Sequence, residues 1–166
     1  SDGQQVFAEF SSGGPDYFVG AINITDGSTL VLDPSPSPVS QMVGVDDQNV
    51  YYVAAVTNSP QAFLWAVPKS GNAPPSIFGQ FPVGTSVIMT KGNAYWVEQQ
   101  ATQSNIMTVP LTYIDHSDAS VVPLKNASEL DVSPQTISAM GVDDCGIVYA
   151  TLDSATSSAI FQIGLR

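Results

Sequence analysis

Short apolar runs alternate along the whole chain with clusters of Gly, Pro, Asn, Asp and Ser. No run keeps a helical period over three turns. Runs of about four to eight residues that are rich in Val, Ile, Tyr and Phe and bounded by turn residues are typical of β-strands. The pattern therefore predicts an all-β chain with negligible helix.

One stretch of this pattern recurs along the chain. Its clearest copy reads MVGVDDQNVYYVA, a second reads GVDDCGIVYAT, a weaker one reads VIMTKGNAYWVE and a short one reads QVFAEF. Equivalent positions are 44, 44 and 53 residues apart when the copies are aligned on Val6, Val50, Ala94 and Ile147. A period of about 40–50 residues with four short strands in each repeat predicts a β-propeller. The approximate repeats are 1–38, 39–84, 85–134 and 135–166, within a single domain.

The two middle repeats each supply four antiparallel strands, and the outer two supply three each. The predicted strands are 5–10, 17–24 and 28–32; 41–45, 50–55, 62–67 and 76–81; 86–89, 94–98, 105–109 and 120–124; and 136–142, 147–152 and 159–165. The first repeat lacks a first strand and the last repeat lacks a fourth. One chain cannot fill both gaps, so we expect these repeats to be part of a larger ring that another segment or another chain completes.

The repeated motif resembles a known group of proteins. V-D-D-x-x-V-Y-Y/W-V, followed by x-V-P at the end of the third strand, is similar to bacterial extracytoplasmic β-propeller repeats of the YWTD type. Thr90 and Lys91 depart from this pattern, since they replace the Asp pair in one copy. The resemblance implies a propeller fold, a periplasmic, cell-surface or secreted location, and a binding or scaffold role, although some such propellers accompany enzymes.

Composition narrows the range of partners. The net charge is −11 with only four Lys and Arg residues, which disfavours nucleic acids and anionic membrane surfaces. No apolar run approaches the roughly 20 residues that span a bilayer, so we expect no membrane insertion. No signal peptide is visible, which suggests a mature or excised segment.

Residues that carry chemistry are few, and we predict no catalytic residue, no metal site and no cofactor. Cys145 is interpreted as a half-buried turn residue. His116 lies in a predicted solvated insertion, and the alternative is that Asp115, His116 and Asp118 together hold a divalent ion. Asn23 and Asn126 begin N-glycosylation sequons.

The repeated Asp pairs allow two interpretations, a metal site or a turn. They are Asp46-Asp47 and Asp143-Asp144. Asp side chains accept backbone N–H bonds two residues further on and so close tight turns, and each pair lies where a turn is needed. We favour the turn. The aromatic residues of the strands are likewise interpreted as packing between sheets rather than as an exposed ligand site.

The loops that join second to third strands are expected to lie on one side of the repeats. They are rich in small and amide side chains, which suit neutral hydroxylated partners such as glycans. The predicted ligand-binding residues are Thr57, Asn58, Gln99, Gln100, Thr102 and Gln103. The predicted function is a non-catalytic binding or scaffold module that engages a protein or a glycan. The alternative is a propeller enzyme, a hydrolase or lyase with an active site at the channel mouth.

Overall fold

The computed structural model describes residues 3–11, 13, 17–34, 39–55, 60–82, 85–90, 92–111, 128–133, 136–143, 145–154 and 157–164. All fourteen elements of these residues are β-strands, so the all-β prediction is confirmed. In chain order they are β1 (Gln5–Ser11), β2 (Tyr17–Asn23), β3 (Thr29–Asp33), β4 (Val39–Val45), β5 (Asn49–Ala55), β6 (Gln61–Pro68), β7 (Ser76–Pro82), β8 (Val87–Thr90), β9 (Asn93–Gln99), β10 (Ser104–Pro110), β11 (Ser128–Ser133), β12 (Thr136–Val142), β13 (Gly146–Ser154) and β14 (Ser157–Gly164).

The strands form four antiparallel sheets in which neighbours in sequence are neighbours in space. Their orders are β1-β2-β3, β4-β5-β6-β7, β8-β9-β10-β11 and β12-β13-β14. Within each sheet, consecutive strands are therefore paired, as expected of strands joined by short turns that contain Gly and Asp. The predicted distribution of three, four, four and three strands is confirmed.

The predicted β-propeller is wrong. Among the described residues the four sheets remain separate, and none closes or curls into a propeller, so the larger ring that we expected loses its basis as well. The prediction failed because the repeated sequence pattern determines local structure only. A repeat of about 45 residues encodes strands, turns and the buried side of each sheet. Closing a ring depends on the angles between successive sheets, and the hydrophobic pattern does not encode those angles.

The chain divides into two compact units, of which the first contains β1–β7. Its three-stranded sheet packs on its four-stranded sheet. Buried residues at every second position of β5 form one side of this core, because side chains alternate between the faces of a strand. The core residues are Val19, Ala21, Leu32, Val50, Tyr52, Ala54 and Val67, with Phe7, Met42, Val45 and Trp65 packed against them. Burying one such Val or Leu side chain contributes about 1.5–3 kcal/mol.

The second unit contains β8–β14 and repeats this arrangement. The sheet β12-β13-β14 packs on the sheet β8-β9-β10-β11. The core residues are Tyr95, Ile106, Ile137, Ile147 and Tyr149, with Val97, Met140, Val142 and Ile163 at its border. Ile147 and Tyr149 are the repeat equivalents of Val50 and Tyr52, so the repeat places the same two positions in both cores.

One predicted strand needs correction. The fourth strand of the third repeat was predicted at 120–124, which lies outside the described residues. The strand that pairs with β10 is β11, inside a segment that was predicted to be a loop. The apolar run at 120–124 misled the prediction, although it contains Pro123, which cannot donate a ladder hydrogen bond.

None of the described residues forms a helix with the length and apolar character that crossing a membrane requires.

Candidate functional site

The hairpin between β9 and β10 carries four of the six predicted ligand-binding residues. The backbone N–H of Gln100 donates to the carbonyl of Gln103 at 2.8 Å, which closes a tight turn. Gln99 and Ser104 face each other where the two strands begin to pair. This geometry displays Gln100 and Thr102 to solvent, where both are exposed.

Gln99 uses both ends of its amide inside the second unit. Its Nε2 donates to the carbonyl of Ile137 at 2.8 Å, and its Oε1 accepts from Ser104 Oγ at 2.7 Å. The buried Ser104 hydroxyl also accepts the backbone N–H of Ile137 at 3.1 Å. Gln99 of β9 and Ser104 of β10 are therefore both hydrogen-bonded to the backbone of β12. These bonds occupy both ends of the Gln99 amide, and its assignment as a ligand-binding residue stays a prediction.

Gln103 has a similar internal role. Its Nε2 donates to Asn105 Oδ1 at 2.9 Å, and Asn105 is only 5% exposed. Of the described candidates, Gln100 and Thr102 have exposed side chains that make no hydrogen bond within the described part of the chain. Thr57 and Asn58 lie outside the described residues.

The two Asp turns have the same geometry. Asp46 Oδ1 accepts the backbone N–H groups of Gln48 at 2.8 Å and Asn49 at 2.7 Å. Asp143 Oδ1 accepts those of Cys145 at 2.7 Å and Gly146 at 2.9 Å. These bonds confirm the interpretation of both residues as turn formers. Across the residues that the structure describes, no group of three or more His, Cys, Asp and Glu side chains could hold a metal ion.

Asp46 has a second partner in the neighbouring strand. Its Oδ2 accepts the hydroxyl of Tyr51 at 2.6 Å. Partial burial raises the pKa of Asp46, but the Tyr51 hydroxyl, the two backbone N–H groups and the charge of Lys69 outweigh it and hold the pKa below its usual value. Burial, and then the bond to Asp46, raise the pKa of Tyr51 well above that of a free phenol. The carboxylate and the neutral phenol therefore persist together over a wide pH range.

A buried polar pair links the two sheets of the first unit. The hydroxyl of Tyr52, on β5, donates to Asp33 Oδ2, on β3, and Asp33 is 6% exposed. Burial, and then the bond to Asp33 and its charge, raise the pKa of Tyr52 well above its ordinary value. Asp33 lies just beyond the strand predicted at 28–32 and was not singled out from the sequence. Nothing in its local sequence signals that it is buried.

The structure also describes two other residues that were singled out from the sequence, Cys145 and Asn23. Cys145 is exposed, so the half-buried interpretation is wrong; it is the second residue after Asp143 in a turn, where only its backbone N–H is engaged. Asn23 Oδ1 accepts the N–H of Thr25 at 2.8 Å in the exposed β2–β3 turn. Asp115, His116, Asp118 and Asn126 lie outside the described residues.

Sequence reasoning missed an apolar surface on the β1-β2-β3 sheet. Val31 is 48% exposed and Val6 is 43% exposed on the side that faces away from the core. Phe10 and Phe18 are cross-strand partners on the same side, with ring centroids 5.2 Å apart. We call these four residues the outer face of the first sheet. The alternation in β1 could have revealed it, because Val6, Ala8 and Phe10 are apolar while Phe7 faces the core.

Comparisons with known proteins give little to add. No family of proteins and no curated protein matches the chain. Among solved structures the chain is similar to the uncharacterized protein lmo1340 from Listeria monocytogenes EGD-e, with 9% sequence identity and a TM-score of 0.48. The match covers 95% of this chain and 58% of that chain, so this chain spans little more than half the length of the protein it matches.

Proposed function

We propose that the chain is a non-catalytic binding or scaffold module that acts outside the cytoplasm and engages a protein partner. The observation that carries this proposal is the outer face of the first sheet. Two half-exposed valines and a stacked pair of phenylalanines lie together on one side of three strands. Exposed apolar groups that adjoin one another mark interaction surfaces more often than scattered ones do.

The net charge of the chain indicates which charge the contact surface of the partner has. A net charge of −11 repels acidic proteins and favours partners that are neutral or basic around their contact surface. Asp46 and Asp143, two of the carboxylates that the sequence analysis considered as metal ligands, are held in turns. This use of the carboxylates supports binding over catalysis.

A glycan is the second candidate ligand, and the β9–β10 hairpin would bind it. Gln100 and Thr102 are exposed and offer hydrogen-bond donors and acceptors without charge. This surface is small, because Gln99 and Gln103 are bonded within the unit. We therefore rank the protein partner first.

Photo-crosslinking tests the proposal at the outer face. Benzoylphenylalanine is introduced at Val31, and at Ser28 in the adjoining exposed turn as the matched control. With the extracytoplasmic proteins of the source cell, position 31 is expected to give a discrete adduct that position 28 does not give. No adduct at position 31, together with no binding on a glycan array, would overturn the proposed function.

A further inference from the structure

The turn between β2 and β3 carries one of the two N-glycosylation sequons, Asn23-Ile24-Thr25. A sequon consists of Asn, any residue except Pro, and then Ser or Thr, and it is modified on surface segments of proteins outside the cytoplasm. Residues 24–30 are all exposed, so this sequon lies on the surface of the first unit. Such motifs also arise by chance in a chain rich in Ser and Thr, so the use of this one depends on the geometry of the turn.

Backbone hydrogen bonds define the conformation of this turn. The N–H of Asn23 donates to the carbonyl of Ser28 at 2.9 Å, and the N–H of Gly27 donates to the carbonyl of Asn23 at 2.9 Å. Gly27 has a φ of +70°, in the left-handed region that glycine adopts without strain. Asp26 Oδ1 also accepts the backbone N–H of Ser28, at 2.8 Å. Asn23 is thus the last residue of β2, and the exposed loop begins directly after it.

The side chain of Asn23 is oriented by the third residue of the sequon. Its Oδ1 accepts the backbone N–H of Thr25 at 2.8 Å, which closes an Asx turn. Because a backbone N–H can only donate, the amide oxygen faces Thr25 and the amide nitrogen faces away from it. Within the described part of the chain, Nδ2 makes no hydrogen bond. The atom that accepts a sugar is therefore available, and it lies beside the Thr that the sequon requires.

Three other asparagines do not combine these features. Asn105 is only 5% exposed, and its amide is bonded within the second unit. Asn72 is exposed, but no Ser or Thr stands two residues after it. Asn126 begins the other sequon and lies outside the described residues. A sequon, a surface turn and an available amide nitrogen therefore come together at Asn23.

An exposed apolar side chain adjoins this amide. Ile24 is 58% exposed, more than either valine of the outer face of the first sheet. Its backbone N–H donates to the carbonyl of Gln4 at 3.0 Å, which fixes the residue at the end of the sheet. A sugar ring linked to Asn23 Nδ2 would be within reach of Ile24, and the C–H face of the ring would cover part of its apolar surface. Removing such surface from water is favourable.

A glycan at this position leaves the outer face of the first sheet open. Phe18 lies five residues before Asn23 in β2, which corresponds to about 17 Å along a strand. Side chains alternate along β2, so Asn23 is on the side of the core residue Val19, opposite to Phe18. The glycan and the proposed protein partner can therefore be bound at the same time.

We propose that Asn23 is a site of N-linked glycosylation. The inference rests on the extracytoplasmic location in the proposed function and adds a covalent modification to it. Nδ2 of Asn23 forms a bond to the anomeric carbon of the first sugar of a lipid-diphosphate-linked oligosaccharide. The bond from that carbon to the diphosphate oxygen breaks, and the lipid diphosphate leaves. The amide gives up one proton, which balances the charge left on the diphosphate, and no atom is oxidised or reduced.

Site mapping on the protein from its source cell tests the inference. The chain is isolated from the extracytoplasmic fraction and treated with peptide N-glycosidase in water enriched in oxygen-18. The enzyme converts a glycosylated Asn to Asp and marks it with the heavy isotope. Peptide mass spectrometry is expected to find the mark at Asn23 in most copies of the chain, and a sample without the enzyme is expected to show none.

Variants expressed in the same cell test whether the sequon is what the transferase recognises. Thr25→Ala removes the hydroxyl of the sequon and should abolish the mark at position 23, whereas Thr25→Ser keeps a sequon and should retain it. Asn23→Gln should remove one glycan from the intact mass. Asn72→Gln is the matched control and should leave the glycan mass unchanged. Thr25 and Asn72 are exposed, so these substitutions allow the chain to fold.

Two results would overturn the inference. Asn23 carries no mark in the chain from the source cell, or the mark persists in Thr25→Ala, which would assign it to deamidation. The crosslink at Val31 separates these failures from a failure of the proposed function, because it requires no glycan. An adduct at position 31 with an unmarked Asn23 would refute this inference alone. A marked Asn23 with no adduct and no binding on a glycan array would refute the proposed function alone.

Discussion

The two units of this chain have the same kind of apolar core, but different side chains form the hydrogen bonds between their two sheets. In the first unit an ionisable pair, Tyr52 and Asp33, joins β5 to β3. In the second unit neutral groups do this, since Gln99 and Ser104 bond to the backbone of Ile137. Val50 and Ile147, which are repeat equivalents, are fully buried in their respective cores.

The difference shows which features the repeat carries. It preserves the apolar positions of the second strand and the Asp that closes the preceding turn. It does not preserve the polar groups that cross between sheets. A buried polar group needs a hydrogen bond, but several combinations of side chains can supply one. The two units therefore use different side chains for these hydrogen bonds.

The largest effect is expected from the shared core positions. Ile147→Ala should lower the free energy of unfolding by about 2–5 kcal/mol, because it removes buried carbons and leaves a cavity. Val50→Ala removes fewer carbons and should cost less. Urea denaturation of both variants checks this order. A loss below about 1 kcal/mol for Ile147→Ala would mean that the second core is not packed as described.

The second largest loss of stability is expected when the hydrogen bond between Tyr52 and Asp33 is removed. Tyr52→Phe leaves the buried Asp33 carboxylate without its phenol donor and should cost about 1.5–3 kcal/mol. Tyr95→Phe is the matched control, since Tyr95 is buried in the second core and its hydroxyl has no partner among the described residues. The control should change stability by less than about 0.5 kcal/mol. Equal losses in the two variants would contradict a specific role for the Tyr52–Asp33 bond.

Alkaline pH should act on the first unit. The pKa of Tyr52 is raised in the folded chain by burial and by Asp33, whereas the unfolded chain titrates near the ordinary value of about 10. The stabilising contribution is thus fully present below about pH 10 and is lost as the pH rises further. The slope for this residue is at most about 1.4 kcal/mol per pH unit. Urea midpoints measured above pH 10 should fall more steeply for the parent chain than for Tyr52→Phe, and parallel curves would refute this assignment.

Removal of the hydrogen bonds of Gln99 in the second unit should give the smallest loss in the free energy of unfolding. Gln99→Met keeps the length of the side chain but removes the bonds to Ile137 and Ser104, at a cost of about 1 kcal/mol. Gln100→Met changes an exposed neighbour as the control. If the two variants have the same denaturation midpoint, the side chain of Gln99 is available for a ligand, as the sequence had suggested.

Local chemistry made much of the fold predictable. The Asp turns, the alternation in β5 and the number of strands in each sheet depend on residues that are close in sequence. The hydrogen bond of the buried Asp33 joins it to a partner 19 residues away, and the bond of the Gln99 amide joins it to a partner 38 residues away. Such contacts leave no periodic signal, so the sequence showed neither the burial of Asp33 nor the bonds of the Gln99 amide within the second unit.

Sheet content and sheet arrangement were predictable to different degrees. The three strands of the last sheet were visible in the sequence as three apolar runs between turn residues. The ring was inferred by analogy with the repeat period, and the separate sheets contradict it. A fold analogy carries no information about the packing angles of a particular chain.

Amide hydrogen exchange tests the central claim, that the repeats fold into antiparallel sheets whose inner strands are paired on both sides. All paired residues of β10, which lies between β9 and β11, should exchange slowly. The same is expected of β5 and β6 in the first unit. Fast exchange at alternate residues of β10 would show that one of its two neighbours is missing, and would contradict the account.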